Sequence, residues 1–293
     1  MAGSSSEWIS QPRWSPEGVL HFAAEPDGWM NLFRYHGGAA EPIAPMAVEF
    51  ASPDWIFGNA EYAFLPDGGI LAVGRSEGRD RLYRIAPDGS WTTLDLPYTE
   101  VMSISVDGHA AVLRAVSPFE SAVVAELSVD TGEVTVLRRA TPFIADPRDV
   151  SAPRHVEFPT TGGRTAHGNY YAPHNQQFRA PDGELPPLIV TSHGGPTAAA
   201  FSGWATGVQL FTSRGYAVLD VDYGGSTGYG REYRKALEGE WGIVDVDDCV
   251  AGADWLVAQG LADPARLAIR GGSASGFTTL AALAFRRTFS AGT

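Results

Sequence analysis

The segment of residues 266–282 constrains the fold of this chain most, because it predicts a strand, a tight turn and a helix in direct succession. A short apolar run ends at a pair of glycines, and apolar residues at helical spacing begin at Phe277. Ser273 lies at the tip of the predicted turn. A serine hydroxyl becomes a usable nucleophile when such a turn holds it clear of its own backbone beside a base. Ser273 is therefore the candidate catalytic residue.

The residues that flank Ser273 must be small, because the backbone of such a turn nearly collides with itself. Gly271 and Gly272 are expected to supply that room. The pattern G-x-S-x-G has a glycine two positions after the serine, whereas this sequence has Ser275 there and Gly276 one position later. A glycine-rich turn that merely opens a helix has the same appearance, so the rest of the chain has to decide between the two interpretations.

The first half of the chain alternates short β-rich runs with turns that contain Asp-Gly or Pro-x-Gly. Three segments, residues 11–38, 52–94 and 101–137, resemble copies of one unit with four strands each. Trp14 and Trp55 lie 41 residues apart, which is a spacing typical of β-propeller blades. Residues 1–150 are therefore predicted to form part of a β-propeller with about three blades. A plain antiparallel meander is the alternative.

After a proline-rich linker at residues 138–153, predicted strands alternate with predicted helices. The strands are expected at residues 155–160, 168–173, 188–191 and 216–225, and the helices at 201–214, 232–239 and 243–260. In the last helix, apolar residues at positions 246, 250, 253 and 257 share one side, and Gly260 is expected to end it. This alternation predicts a mostly parallel sheet that binds ligands at the carboxyl ends of its strands.

The run SHGGPT at residues 192–197 follows one of these strands. Acyl transfer develops negative charge on a carbonyl oxygen, and fixed backbone N–H groups stabilise that charge. In hydrolases with a nucleophile elbow, one N–H comes from the residue after the nucleophile and another from an earlier glycine-rich loop. Ala274 and Gly195 fit these two roles. Taken alone, the HGGP run is more typical of a type II turn before a helix. Its occurrence together with the elbow favours an oxyanion-binding loop.

These motifs, together with residues 222–230 and 241–249, resemble the catalytic domain of the prolyl oligopeptidase family of serine peptidases. The resemblance is strongest to its acylaminoacyl-peptidase and dipeptidyl-aminopeptidase branch. It implies a β-propeller followed by an α/β-hydrolase domain over residues 151–293, with Ser273 as nucleophile and the N–H groups of Gly195 and Ala274 as oxyanion donors. His193 occupies a position where some members carry a Tyr that assists the oxyanion, and an imidazole inside a turn is not expected to take over that role.

The sequence departs from the family after the elbow. The α/β-hydrolase order places Asp and then His after the serine, but the 20 residues that follow Ser273 contain neither. We therefore expect an internal piece of a longer enzyme, without its acid and base and with little activity by itself. The sheet is expected to lack its final strands, so that the strand before Ser273 has no neighbour on one side.

Composition limits which partners, cofactors and cellular location we expect. The net charge of −13 argues against a nucleic-acid partner, and the single cysteine, Cys249, cannot form an internal disulfide. The first ten residues lack a secretory leader and no apolar run is long enough to span a membrane, which predicts a cytoplasmic protein. The histidines at positions 21, 36 and 109 have no ligand spacing, and neither a metal nor a cofactor is predicted.

The leading functional hypothesis is a serine peptidase that cleaves short peptides. An esterase of the same fold is the first alternative, since the acyl-enzyme chemistry is the same. A non-catalytic propeller protein with an inactive hydrolase domain is the second.

Overall fold

The computed structural model describes residues 7–55 and 58–293, so Ile56 and Phe57 of the second predicted blade lie outside the described residues. The chain folds into two compact units. The first comprises the described part of Met1–Ser117 together with Ser121–Pro142 and Gly228–Glu232, and the second comprises Pro118–Glu120, Phe143–Thr227 and Tyr233–Thr293. The domain boundary expected at residue 150 stays a prediction.

The first unit contains three four-stranded antiparallel sheets whose strands follow one another in chain order. The first sheet consists of β1 (Ile9–Trp14), β2 (Leu20–Ala24), β3 (Asn31–His36) and β4 (Ala39–Pro42); the second of β5 (Tyr62–Phe64), β6 (Ile70–Ser76), β7 (Arg79–Ile85) and β8 (Trp91–Leu94); the third of β9 (Glu100–Asp107), β10 (Ala110–Val116), β11 (Val123–Ser128) and β12 (Val134–Arg139). The prediction of about three propeller blades is confirmed. The alternative of a continuous meander is wrong, because each group of four strands closes into a sheet of its own.

The faces of these sheets pack on one another. In β10 and β11 buried and exposed side chains alternate, which is the period of a strand with one face in a core. Leu113 of β10 belongs to a buried cluster with Leu71 and Leu82 of the second sheet, and Leu32 of the first sheet shares another cluster with Tyr83. Burial of this kind contributes about 25 cal/mol per Å² of apolar surface and holds the sheets together.

The second unit is built on a six-stranded mixed sheet with the order β13-β14-β16-β15-β17-β18. Its strands are β13 (Arg154–Pro159), β14 (Thr165–Tyr171), β15 (Leu188–Ser192), β16 (Ala217–Asp222), β17 (Leu267–Arg270) and β18 (Ala291–Gly292). The pairs β16–β15, β15–β17 and β17–β18 are parallel, whereas β13–β14 and β14–β16 are antiparallel. The central strands β15 and β16 begin with buried apolar runs, at residues 188–190 and 217–219, as expected for strands covered on both faces.

One expectation about this sheet is wrong. The strand before Ser273 was expected to lack a neighbour on one side, but β17 pairs with β15 on one side and with β18 on the other. The cause is the segment after helix α4 (Ala274–Phe285), which returns along β17 so that Ala268 faces Ala291. Two residues suffice for this pairing, and so short a strand has no periodicity that a sequence could reveal.

The other helices of the second unit are α1 (Thr206–Thr212), α2 (Arg231–Lys235, shared with the first unit) and α3 (Val244–Ala258). Helix α1 is shorter than the predicted helix at 201–214 and begins only at Thr206; before it, the carbonyl oxygen of Phe201 accepts a hydrogen bond from the hydroxyl of Tyr171 at 3.0 Å. Helix α2 ends before the predicted residue 239. Gly260 lies just past the end of α3 with φ +69°, as the sequence predicted.

Helix α3 covers one face of the sheet, and its buried side is shifted from the predicted one. Val246, Cys249, Ala253 and Leu256 are buried, whereas the valines at positions 250 and 257 are half-buried at the margin. No helix in the described part of the chain is both long and apolar enough to cross a membrane.

Candidate active site

Ser273 occupies the sharp turn that the sequence predicted. It follows β17 by three residues, precedes the first residue of α4, and has φ 56° and ψ −125°. A non-glycine residue in this region costs about 1–3 kcal/mol and persists only when the surrounding structure enforces it. A strained serine between a strand and a helix is the geometry of a nucleophile elbow. The side chain of Ser273 is exposed.

Gly271 provides the space that the elbow needs. A Cβ atom at this position would lie 2.2 Å from the carbonyl oxygen of Ser275, a distance that no side chain tolerates. Gly272 was expected to share this role, but a Cβ there would meet nothing within 4 Å. The expectation for Gly272 is therefore wrong, since the helix turns back over Gly271 alone.

Ser275 replaces the glycine of the usual pattern with a structural contact. The residue is 1% exposed, and its Oγ lies 2.9 Å from the Gly272 nitrogen and 3.0 Å from the Gly272 carbonyl oxygen. The hydroxyl accepts from the N–H and can donate to the carbonyl oxygen. Ser275 thereby closes the elbow from inside and leaves Ser273 as the exposed hydroxyl.

The loop at residues 192–197 lies beside the elbow, because β15 and β17 are neighbouring parallel strands that both end at this edge of the sheet. A Cβ atom on Gly194 would lie 3.5 Å from Cβ of Ser273 and 4.0 Å from its Oγ. Gly195 has φ +59°, which favours glycine. The structure thus brings together the loops that carry the three predicted site residues.

The backbone N–H groups of Gly195 and Ala274 are available to a ligand. Within residues 7–55 and 58–293, neither N–H has a hydrogen-bond acceptor. Ala274 is the first residue of α4, where the helix dipole also favours negative charge. Two such groups next to an exposed serine hydroxyl can stabilise an oxyanion formed on that serine.

His193 is held inside its own loop. Its Nδ1 lies 3.1 Å and 3.2 Å from the carbonyl oxygens of Gly194 and Gly195, and its Nε2 lies 2.6 Å from Oγ of Ser226. Its ring stacks on Tyr223 at 4.5 Å between centroids. Because carbonyl oxygens only accept, Nδ1 carries a proton and donates. Both ring nitrogens are engaged, so His193 serves to fix the loop, and sequence reasoning missed this role.

Two buried aspartates of α3 fix the surroundings of the site. Asp245 accepts from the hydroxyl of Thr278 on α4 and from the N–H of Gly242, at 2.6 Å for the latter. Asp248 pairs with Arg164 at 2.7 Å and accepts from the N–H of Gly224 at 2.7 Å. The run DVDDC in the sequence hinted at them, since acids within an apolar helix face need partners.

The hydroxyl of Ser273 has no base bonded to it within the part of the chain that the structure describes. Among the residues that the structure describes, none forms a hydrogen bond with the Oγ of Ser273. The thiol of Cys249 offers no alternative nucleophile, because burial, and next the charge of Asp245, raise its pKa well above the usual range.

A cavity of about 750 Å³ lies elsewhere in the second unit. Its lining includes Pro187, Tyr216 and Arg266, each of which directly precedes a parallel strand. It therefore opens at the amino ends of those strands, on the edge of the sheet opposite to Ser273. The cavity is not part of the candidate active site.

The strained serine at the carboxyl end of a parallel strand and the glycine-rich loop beside it define an α/β-hydrolase fold, which in this chain accompanies propeller blades. Residues 201–293 match the prolyl oligopeptidase family, a family of serine peptidases. The resemblance to this family that the sequence motifs predicted is thus confirmed.

The relatives include both branches that the motifs indicated. Dipeptidyl aminopeptidase BIII of Pseudoxanthomonas mexicana is 41% identical over 99 residues, which are 34% of this chain and 14% of that protein. The acylamino-acid-releasing enzyme of Arabidopsis thaliana is 38% identical over 98 residues, which are 33% of this chain and 13% of that protein.

The similarity to a solved structure extends over nearly the whole chain. A puromycin-hydrolyzing peptidase of Mycobacterium tuberculosis superposes with a TM-score of 0.95 and 40% identity, over 99% of this chain and 46% of that chain. The present chain thus spans less than half of the length of that structure and a smaller share of the curated relatives.

Proposed function

We propose that this chain supplies the nucleophile and the oxyanion donors of a serine peptidase that hydrolyses short peptides through an acyl-enzyme. The observation that carries the proposal is the exposed, strained Ser273 beside two N–H groups that lack acceptors. The match of residues 201–293 to the prolyl oligopeptidase family supports peptide hydrolysis as the reaction.

In the proposed reaction the Oγ of Ser273 attacks the carbonyl carbon of the scissile amide and loses its proton to a general base. The oxyanion accepts hydrogen bonds from the N–H groups of Gly195 and Ala274, the protonated amine leaves, and water then hydrolyses the ester on Ser273. The base and its orienting acid are proposed to come from residues outside 1–293, because none of the described residues bonds to the serine hydroxyl.

For the substrate we propose the N-terminal end of short peptides and related aminoacyl amides. Relatives with 38–41% identity carry the names acylamino-acid-releasing enzyme and dipeptidyl aminopeptidase, and a structure with 40% identity is described as puromycin-hydrolyzing. Puromycin is therefore the first substrate to test. A cytoplasmic location stays a prediction.

A non-catalytic role is the alternative that one observation favours, namely the absence of a base next to Ser273 within the described residues. In that case a protein made from the complete reading frame around these residues would be inactive. Without a base, turnover falls by about 10⁴- to 10⁶-fold, and the same loss is proposed for a chain of residues 1–293 alone.

The test compares hydrolysis of puromycin, aminoacyl anilides and aryl esters by the protein expressed from that reading frame. We expect turnover of puromycin or the anilides and its loss in Ser273→Ala, with Ser90→Ala, a change in an exposed turn, as the matched control. Rapid turnover of esters without turnover of amides would favour an esterase. Inactivity of the wild-type protein on every substrate would favour the non-catalytic role.

A further inference from the structure

Two histidines and a glutamate meet on the first two strands of the second unit's sheet. His155 and Glu157 lie two residues apart on β13 and therefore share a face of the sheet. His167 of β14 is directly opposite Glu157 in the antiparallel register. Val156 and Phe158, which alternate with these residues along β13, belong to the core cluster that includes α3, so the three polar side chains lie on the other face.

The ligand atoms of these three side chains converge. One nitrogen of each histidine and one carboxylate oxygen of Glu157 all lie within 4.8 Å of one another. Nδ1 of His167 is 3.6 Å from Oε1 of Glu157, and the two imidazole rings are nearly parallel with centroids 5.6 Å apart. Around a tetrahedral zinc ion with bonds of about 2.0–2.2 Å, neighbouring ligand atoms lie about 3.4 Å apart. Closure of this cluster around an ion thus requires side-chain movements of about 1–1.5 Å.

We propose that His155, Glu157 and His167 bind Zn²⁺. Imidazole nitrogen and carboxylate oxygen are both zinc ligands, and two histidines with one glutamate form a ligand set that zinc enzymes use, with a water molecule in the fourth position. The side chain of His167 is held with 15% exposure, whereas that of Glu157 is 62% exposed. The histidine is therefore already positioned, and the glutamate can adjust and admit the ion from solvent.

This site is independent of the chemistry proposed for Ser273. The sequence predicted no metal, because its ligands lie on two strands and come together only through the pairing of β13 with β14. The register makes Glu157 and His167 a cross-strand pair, in which Cβ atoms are about 4.5–5.5 Å apart.

The experiment is a Zn²⁺ titration of the tag-free chain by competition with a chromogenic chelator, repeated with Co²⁺ to record its visible absorption. The variants are His155→Gln, Glu157→Gln and His167→Gln. His109→Gln is the matched control, since His109 also faces an acid, with Nδ1 3.0 Å from Asp130, but has no third potential ligand close to both among the described residues. Circular dichroism of each variant reports whether it remains folded.

We expect one Zn²⁺ per chain, an affinity at least about tenfold lower in each cluster variant that remains folded, and wild-type affinity in the His109 variant. Glu157→Gln changes an exposed side chain and keeps its shape, so it provides the decisive comparison even where a histidine variant unfolds. The proposal is overturned by failure of the wild-type chain to bind Zn²⁺ more tightly than the chelator background, or by undiminished binding in Glu157→Gln and His155→Gln.

Discussion

At the scale of single residues, different residues of the nucleophile elbow meet its chemical and its steric requirements. Ser273 is exposed and strained, Gly271 leaves room for the returning helix, and the buried Ser275 closes the turn. A strained residue of this kind stays in place only because its neighbours are fixed. The side chains around the serine therefore have structural effects that can be measured separately from catalysis.

Gly271→Ala should destabilise the protein far more than Gly272→Ala. The new Cβ would lie 2.2 Å from the Ser275 carbonyl oxygen in the first variant, whereas in the second it would meet no atom within 4 Å among the described residues beyond its two neighbours in the chain. We expect the free energy of unfolding to fall by about 1–3 kcal/mol or more for Gly271→Ala. For Gly272→Ala we expect a change within about 0.5 kcal/mol. Urea unfolding measures both, and equal losses would contradict the steric account.

His193→Ala should reduce catalysis by releasing the oxyanion loop. The carbonyl of Gly194 and the N–H of Gly195 belong to one planar trans peptide and point in opposite directions, so the contact of Nδ1 with that carbonyl fixes the direction of the N–H. We expect kcat on puromycin to fall by about 10- to 100-fold, less than or similar to the loss of an oxyanion donor, while KM changes little.

The control for this prediction is His174→Ala, which removes an exposed histidine whose Nε2 contacts the carbonyl oxygen of Arg148. That variant should keep the wild-type kcat. A rise in KM for His193→Ala without a fall in kcat would assign His193 to substrate binding instead.

At the scale of secondary-structure elements, buried polar contacts join segments that are apolar elsewhere. Asp245 connects α3 to α4 through Thr278, and Asp248 connects α3 to the β13–β14 turn through Arg164. A buried carboxylate without partners is strongly unfavourable, so these contacts specify how the elements pack. They also place α4, and with it the amino end that carries Ala274.

Thr278→Val tests the connection between α3 and α4. The substitution keeps the shape of the side chain but leaves the buried Asp245 with one donor fewer, so we expect a loss of about 1–3 kcal/mol in the free energy of unfolding. Thr279 is also buried on α4 and has no side-chain hydrogen bond to any described residue, so Thr279→Val should be nearly neutral. Chemical denaturation of both variants gives the comparison, and similar stabilities would contradict it.

In the first unit, Glu61 makes stability depend on pH. Burial, opposed by the N–H of Ser52, raises the pKa of its carboxyl to about 7. Because the folded-state pKa lies above the unfolded value of about 4.3, the contribution of this group is fully present below pH 4 and is lost as the pH rises through about 7. The pKa difference corresponds to a loss of about 3–4 kcal/mol.

Unfolding measurements between about pH 4.5 and pH 8 should therefore show a decline in the wild-type protein that is much smaller in Glu61→Gln. The glutamine keeps the size of the side chain and cannot ionise. Parallel pH profiles for the two proteins would show that Glu61 does not titrate in this range.

At the scale of the whole molecule, local signals predicted most of the fold and the position of the nucleophile. The blades were predictable because turns and alternating strands are short-range patterns, and the elbow because Gly271 and Ser273 lie two residues apart. The hydrogen bond between His193 and Ser226 joins residues 33 positions apart in the chain, and so does the hydrogen bond between Asp245 and Thr278. Contacts of this kind depend on which strands pair, and a single sequence does not contain that information. The neighbour of β17 was missed for the same reason.

The role of Ser273 as the nucleophile is tested most directly by the site at which a fluorophosphonate probe becomes attached. The protein from the complete reading frame is treated with the probe, digested and analysed by mass spectrometry. We predict a single phosphonylated serine at position 273 and no labelling in Ser273→Ala. Labelling at Ser275, or labelling that persists in Ser273→Ala, would contradict the account.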